Sequence, residues 1–215
     1  MFLPFCLTVD PSIGKADTSL LSQQTLMELF RDGIPHLETV CGSPEYPKDL
    51  SDWYGVRFDA TGNVVSIRWA FVGLEGTLAL HFLPQSVEVL LMSTNKLSGS
   101  IDLTALPKSM RTLVLSRNQL TGSVNLTCFP RNMLNLNVSW NQLSGSLDVS
   151  RLPAGFRLFD VSNNQFLGVT DFSKIPTSLT SFDVSENANL SGELTRNHNT
   201  RCVATGTNVR VVSIN

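Results

Sequence analysis

The sequence lacks several features that would assign the protein to a special class. It contains no run of the roughly 18 apolar residues that a membrane-spanning helix needs, so we expect no transmembrane segment. It also lacks an excess of charge of either sign, because 16 Lys and Arg stand against 18 Asp and Glu, for a net charge of −2. That balance predicts no nucleic-acid partner. With 42% hydrophobic residues, the composition is that of an ordinary globular chain rather than a disordered one.

Motifs for catalysis and metal binding are also missing. There is no G-x-S-x-G elbow, no GxxxxGK[ST] phosphate loop and no H-E-x-x-H zinc motif. Three histidines, His36, His81 and His198, are far apart in the chain. The cysteines do not settle the compartment and match no C-x-x-C spacing; they are Cys6, Cys41, Cys128 and Cys202. We therefore predict a protein that is not an enzyme and that has no catalytic residues, metal ligands or cofactor.

The first 17 residues form a short leader of ambiguous type. An apolar run that contains Pro4 follows Met1 with no basic residue before it. A secretory signal normally has a basic start and a longer apolar stretch. The leader is therefore either a weak or truncated signal or simply an irregular segment, and the residues favour neither.

What the sequence does contain is a repeat. The stretches NKLSGSIDLTALP, NQLTGSVNLTCFP and NQLSGSLDVSRLP begin at Asn95, Asn118 and Asn141, which are 23 residues apart. Asn164 and Asn187 continue the series with the same step. A fixed period between about 20 and 50 residues predicts a solenoid, in which each copy packs only on its neighbours.

The apolar residues around each Asn identify the type of repeat. Met110, Leu113, Leu115, Asn118 and Leu120 fit L-x-x-L-x-L-x-x-N-x-L, which is the leucine-rich-repeat signature. A degenerate first copy, with Val64, Ile67 and Trp69, has no ladder Asn, as expected of a capping repeat. The pattern predicts about six coils.

This pattern predicts an α/β-type repeat solenoid, a leucine-rich-repeat horseshoe. Leu113 and Leu115 are expected on the inner face of a short strand, and neighbouring copies stack into a parallel β-sheet on the concave side. The convex side should be mostly irregular, extended or 3₁₀, with little α-helix, because glycines and Leu-Pro steps recur there. Each ladder Asn is predicted to pair backbone groups where the strand turns away.

The pattern changes before residue 64. A helix is predicted within 19–30, with Thr25 and Glu28 as a possible capping pair, and IPHLETV is a candidate for a second short helix. A hairpin is predicted from Trp53 to Phe58 and from Asn63 to Trp69. The domain prediction is a leader at 1–17, a helical and hairpin N-terminal cap at 18–63, repeats at 64–194 and a C-terminal cap at 195–215.

Two stretches carry a resemblance to a known family. The repeats LxLSxNxLSGSIDLTxLPxSM and the cap LMELFRDGIPHLETV…DWYGVRFDATGNVVSI resemble kinetoplastid leucine-rich-repeat proteins of the surface-antigen type and, more distantly, plant extracellular leucine-rich repeats, over about residues 20–195. The resemblance implies a secreted or surface-displayed solenoid, often anchored in a membrane, that recognises proteins or glycans without catalysis.

The sequence departs from that family in two places. Similar proteins have C-x-W-x-G-V-x-C in the cap, whereas this chain has Ser51 and Phe58 at the two cysteine positions. The loss of both cysteines weakens the argument for an oxidising compartment. The end, VATGTNVRVVSIN, shows no hydrophobic tail of a glycolipid-anchor signal, so we expect the anchor to be absent or lost with a truncated C-terminus.

Function is expected on the outward side of the strands, at positions between the framework residues. The predicted contact residues for a protein or glycan ligand are Arg68, Phe71, Leu91, Val114, Arg117, Asn137, Trp140, Asp160, Asp183 and Glu186. Trp140 and Phe71 are the first candidates for anchors, because aromatic residues and Arg are enriched in interface hot spots. The alternative is that they pack sideways on neighbouring strands, which we favour for Phe71 and leave open for Trp140.

Other residues of this face have structural or chemical alternatives. Asp160 and Asp183 should be neighbours, and paired carboxylates can hold a cation, but no third ligand is evident and a solvated acidic patch is favoured. The Ser that recurs two residues before each ladder Asn is interpreted as a structural hydroxyl row along the sheet.

Three N-x-[ST] sequons bear on the compartment. Asn125, Asn137 and Asn189 are candidates for glycosylation if the chain enters the secretory route. The sequons and the resemblance favour an extracellular or cell-surface location. The missing cap cysteines and the weak leader favour the alternative, a cytoplasmic leucine-rich-repeat scaffold for protein–protein interaction.

Overall fold

A computed structural model describes residues 20–43, 46–196 and 200–213 of the chain. The leader at 1–17, together with Cys6 and His198, lies outside the described residues. In the described part, no helix is long and apolar enough to cross a membrane.

The predicted N-terminal helix is present. Helix α1 (Gln23–Asp32) begins at Ser22, whose hydroxyl accepts a hydrogen bond from the backbone N–H of Thr25 at 3.1 Å. The capping residue is therefore Ser22, and Thr25 supplies the capped N–H rather than pairing with Glu28 as predicted. The second short helix, α2 (Glu38–Cys41), is also present.

The predicted hairpin follows the helices. Strand β1 (Val56–Phe58) pairs antiparallel with β2 (Val64–Arg68). Asp59 closes the turn, because its carboxylate accepts the backbone N–H groups of Thr61 and Asn63 at 2.8 and 2.9 Å. The hydrogen bond from the Asn63 backbone, helped by the Thr61 and Asn63 side chains, lowers the pKa of Asp59 to about 2.

An aromatic cluster joins this N-terminal segment to the first coil. The ring centroids of Phe30 and Trp53 lie 6.0 and 6.3 Å from that of Trp69, and all three side chains are buried. Both indole N–H groups donate to backbone carbonyls, at Lys48 and Tyr54. Buried aromatic packing thus holds the part of the cap where similar proteins have a cysteine pair.

One sheet contains the strands that the repeat predicted. Within the described residues it has eight strands, which begin with β1 and β2 and continue in chain order across the sheet, and all of them except β1 run parallel. Its remaining strands are β4 (Val89–Leu91), β6 (Thr112–Val114), β8 (Asn135–Asn137), β10 (Leu158–Asp160), β12 (Ser181–Asp183) and β14 (Arg201–Val203). The middle residues, such as Leu113 and Leu136, pair in register and are buried. The predicted parallel solenoid is confirmed.

A second parallel sheet was not predicted. Its seven strands are β3 (Glu75–Gly76), β5 (Lys96–Gly99), β7 (Gln119–Ser123), β9 (Gln142–Gly145), β11 (Gln165–Asp171), β13 (Asn189–Arg196) and β15 (Asn208–Ser213). Short 3₁₀ turns lie at Leu80–Phe82, Leu103–Ala105 and Phe172–Lys174. They confirm the prediction that the convex side contains 3₁₀ segments. The strands escaped prediction because they contain glycines such as Gly145, which has a φ of 84° and weakens the usual strand signal.

The last described segment continues both sheets. Strand β14 pairs parallel with β12, and β15 pairs parallel with β13. Most of the segment predicted as a C-terminal cap therefore forms a further coil, with Cys202 and Val209 packed against the core.

The ladder asparagines hold the coils together as predicted. Asn164 is buried, and its side-chain oxygen accepts the N–H of Leu143 at 2.9 Å. Its amide nitrogen donates to the carbonyls of Val138 and Val161 at 3.0 and 3.1 Å. One side chain thus pairs three backbone groups from two coils, and Asn118, Asn141 and Asn187 repeat this arrangement.

Replacement of a ladder Asn should strongly destabilise the fold. Asn164→Ala leaves the buried N–H of Leu143 unpaired and removes one of the two side-chain hydrogen bonds at the carbonyls of Val138 and Val161, so we expect the free energy of unfolding to fall by about 3 kcal/mol. Urea unfolding measures this loss. The control is Gln165→Ala, since Gln165 is exposed on the next position of the chain. Equal losses for the two variants would contradict a structural role for the ladder.

Candidate binding surface

The predicted contact residues form two rows across the coils. The first, here called the strand row, consists of Arg68, Leu91, Val114, Asn137, Asp160 and Asp183, which are paired in register from β2 to β12. Within the row, Arg68 is exposed and the other five residues are half-buried. The structure therefore brings all the strand positions named from the sequence into one line on the outward side of the eight-stranded sheet.

The second row lies where each strand turns towards the ladder Asn. It is here called the turn row and consists of the predicted Phe71, Arg117, Trp140 and Glu186 together with Thr94 and Asn163, which occupy the same position in their coils. All six residues have a left-handed backbone, with φ between 54° and 59°. This conformation is uncommon for residues other than Gly, Asn and Asp. The backbone N–H of each residue donates to the next coil, as that of Trp140 does to the carbonyl of Ser162 at 2.9 Å.

Two exposed aromatic residues, Phe71 and Trp140, lie in the turn row, whereas the exposed Tyr46 and Tyr54 belong to the N-terminal cap. Phe71 is 77% exposed, so it does not pack sideways in the way that the sequence argument favoured. Trp140 is 51% exposed, and the guanidinium carbon of Arg117 lies 4.9 Å from its ring centroid. That distance is within the range of a cation–π interaction.

Polar residues of the strand row also support the local backbone. The Oδ1 atom of Asp160 accepts both the N–H and the hydroxyl of Ser162, at 3.1 and 2.7 Å. Asn137 and Asp183 hold the serines that follow them in the same way. The recurring Ser is structural as predicted, but in these coils its hydroxyl bonds within its own coil rather than across strands.

The charge and polarity of the strand row change along the solenoid. Arg68 lies at one end, Leu91 and Val114 follow, and Asp160 and Asp183 are adjacent residues on β10 and β12. The expected juxtaposition of the two carboxylates is present. In the described residues, no group of three His, Cys, Asp or Glu side chains is arranged to hold a metal ion.

A third set of outward residues was missed. The position immediately before each strand is occupied by Glu88, Arg111, Leu134, Arg157 and Thr180, whose backbones form a continuous series of hydrogen bonds between coils. Arg111, Arg157 and Thr180 are exposed. The same 23-residue step would have identified them, but only the centre and the end of each strand were considered.

The three sequons differ in their surroundings. Asn125 and Asn189 are exposed, whereas Asn137 is half-buried within the strand row. The Oδ1 of Asn125 accepts the N–H and the hydroxyl of Thr127. The side chain of Asn137 is flanked by Val114 and Asp160 on the neighbouring strands.

Comparison with known proteins supports the fold. No protein-family profile matches the sequence, and no curated protein is significantly similar to it. The crystal structure of a Pollen Receptor Kinase 3 has a TM-score of 0.68 at 20% sequence identity, with 86% of this chain and 95% of that one covered. The BIR2 ectodomain from Arabidopsis thaliana has a TM-score of 0.60 at 21% identity, with 89% and 94% covered.

A third similar structure contains bound partners. The Arabidopsis receptor kinase HAESA, in complex with the peptide hormone IDA and the co-receptor SERK1, has a TM-score of 0.63 at 25% identity. The match covers 77% of this chain but only 29% of that one. The chain therefore has the leucine-rich-repeat solenoid fold of plant receptor ectodomains, whereas no comparison supports the kinetoplastid surface-antigen type.

Exchanging residues in the turn row should reveal the backbone strain. Thr94 is β-branched and disfavours its φ of 56°, whereas Asn tolerates a left-handed backbone. We expect Thr94→Asn to raise the free energy of unfolding by about 1 kcal/mol and Asn163→Thr to lower it by a similar amount. Denaturant unfolding of both variants measures the two changes. Shifts of the same sign would contradict the assigned conformation.

Proposed function

We propose that this chain is a non-enzymatic binding module that presents the outward side of its eight-stranded sheet to a protein ligand. One observation carries the proposal: the strand row and the turn row change between charged, polar and apolar residues from coil to coil, while the buried positions behind them stay apolar and the ladder position stays Asn. A constant frame with variable exposed positions suits recognition rather than catalysis.

The comparison with HAESA supports a protein or peptide as the ligand rather than a glycan. That receptor kinase is in complex with a peptide hormone and a co-receptor, although only part of it corresponds to this chain. The exposed Phe71 and Trp140 and the apolar Leu91 and Val114 agree with this choice, because aromatic anchors are enriched in protein interfaces.

We further propose an extracellular or cell-surface location. The similarity to the BIR2 ectodomain and the two exposed sequons at Asn125 and Asn189 support it. The intracellular scaffold remains the second candidate, because aromatic packing around Trp69 holds the cap without the cysteine pair of similar proteins.

Site-specific cross-linking tests the binding face. A photoreactive phenylalanine derivative is placed at Leu91, in the strand row, or at Leu167, which is 47% exposed on the second sheet. Each purified variant is added to intact cells of the source organism and irradiated. We expect a discrete protein adduct from the Leu91 position and none from Leu167, because the outward side of the eight-stranded sheet binds the ligand.

One control accompanies this experiment. Thermal unfolding of both variants must match that of the unmodified chain, so that a difference in cross-linking reflects position rather than folding. Adducts from Leu167 alone, or none from any residue of the strand row, would place binding elsewhere and refute the proposal.

Glycosylation distinguishes the two compartments. In the source cells, we expect an enzyme that removes N-linked sugars to lower the mass of the chain, and Asn125→Gln with Asn189→Gln to abolish that shift. Asn137→Gln should leave it unchanged, because Asn137 is half-buried and its side-chain oxygen holds Ser139. A cytosolic chain with no mass shift would favour the scaffold instead.

A further inference from the structure

Arg117 and Trp140 form a stacked pair of exposed hydrogen-bond donors in the turn row. The two residues follow one another in adjacent coils with nearly identical backbones, φ 57° and 56°. Coils repeat at the strand spacing of about 4.8 Å, so residues at this position stack along the solenoid. The guanidinium lies over the indole at 4.9 Å, which limits the freedom of both side chains.

No acceptor within the described chain satisfies these donors. The ion pairs there are Lys96 with Glu75 and Arg210 with Glu193, and neither involves Arg117. The guanidinium of Arg117 and the indole N–H of Trp140 also donate no hydrogen bond to another described residue. A guanidinium has five N–H groups and an indole has one, and neither side chain has an acceptor. A group that binds here must therefore supply acceptors, preferably with a negative charge.

The residues around the Arg117–Trp140 pair favour a ligand group that carries a single negative charge and lies next to apolar groups. Asp160 and Glu186 lie in later coils on the same side of the sheet and repel an anion of high charge. Leu91 and Val114, in the strand row of the coils before Trp140, offer apolar surface. A carboxylate matches the planar fork of a stacked guanidinium and carries one charge.

We propose that the Arg117–Trp140 pair binds an acidic side chain of the protein ligand, within a segment whose apolar side chains cover Leu91 and Val114. This inference rests on the proposed binding function and adds the chemistry of the partner. The carboxylate accepts from the edge of the guanidinium, and Trp140 keeps that edge directed outwards. Because of Arg117, the pair binds a carboxylate side chain more tightly than the corresponding neutral amide side chain.

The indole signals of the three tryptophans provide the readout. Trp53 and Trp69 are buried with their N–H groups bonded to carbonyls, whereas Trp140 is half exposed, and its signal is assigned by its loss in Trp140→Phe. The ¹⁵N-labelled chain is titrated with the blocked peptide Leu-Glu-Leu-Glu-Leu and with its glutamine counterpart. We expect the acidic peptide to shift the Trp140 signal and the glutamine peptide to bind about tenfold more weakly, as loss of a charge-assisted hydrogen bond predicts.

Variants assign the effect to the pair. Arg117→Gln should weaken the acidic peptide about tenfold and leave the glutamine peptide unchanged. Arg117→Lys, which keeps the charge but loses the planar donors, should give a smaller loss. Arg111→Gln, which removes the same charge from another exposed arginine of this face, should have little effect.

Several results would overturn the inference. The first two are equal affinity for the acidic and the glutamine peptide, and a loss of affinity in Arg111→Gln equal to that in Arg117→Gln. The third is the absence of any shift of the Trp140 signal. The fourth is a larger shift of that signal with inorganic phosphate than with acetate at equal concentration. The last result would assign the pair to phosphate groups. A positive cross-linking result at Leu91 together with any of these would leave the binding function standing and reject only the acidic partner.

Discussion

The hydrogen bonds of the ladder asparagines are the constraint on which the rest of the structure depends. Each side chain from Asn118 to Asn187 pairs backbone groups of its own coil and of the coil before it. An unpaired backbone group in this interior would be costly, so the coils can neither slip nor change length freely. A slip of one residue would also turn each buried leucine outwards. The constant 23-residue step and the alignment of the exposed rows both follow from this constraint.

That constraint explains which parts of the fold the sequence could predict. Framework residues such as Leu113 and Asn118 must recur, and their period predicted the parallel sheet, the inward faces and the ladder. The hairpin and α1 were predictable from local turn and helix signals. The second sheet was not, because its strands contain Gly145 and its equivalents and show little apolar alternation. Their strand conformation comes from stacking on neighbouring coils, which no single copy of the repeat encodes.

The candidate surface was predictable in position but not in conformation. The rule that exposed positions alternate with framework positions located both rows, since it depends only on the period. Nothing in the residue types Phe71, Arg117 or Trp140 predicts a left-handed backbone. Only Asn163 gives such a signal. The conformation arises because the chain must turn sharply after each strand to bring the next Asn inwards, and the N–H bond to the next coil compensates for the strain.

The exposed residues on the outward side of the eight-stranded sheet are arranged in a fixed order of charge along the solenoid. Arg68 lies at one end of the strand row, and Asp160, Asp183 and Glu186 lie towards the other, with Leu91, Val114, Arg117 and Trp140 between them. Because the frame holds these groups in one order, a ligand with the complementary order of charges fits in one orientation, and reversing it brings like charges together. For the proposed ligand, the aromatic and apolar centre would supply the affinity and the charged ends would set the orientation. The ladder would then contribute to specificity without contacting the ligand, since it fixes the distances between the exposed groups.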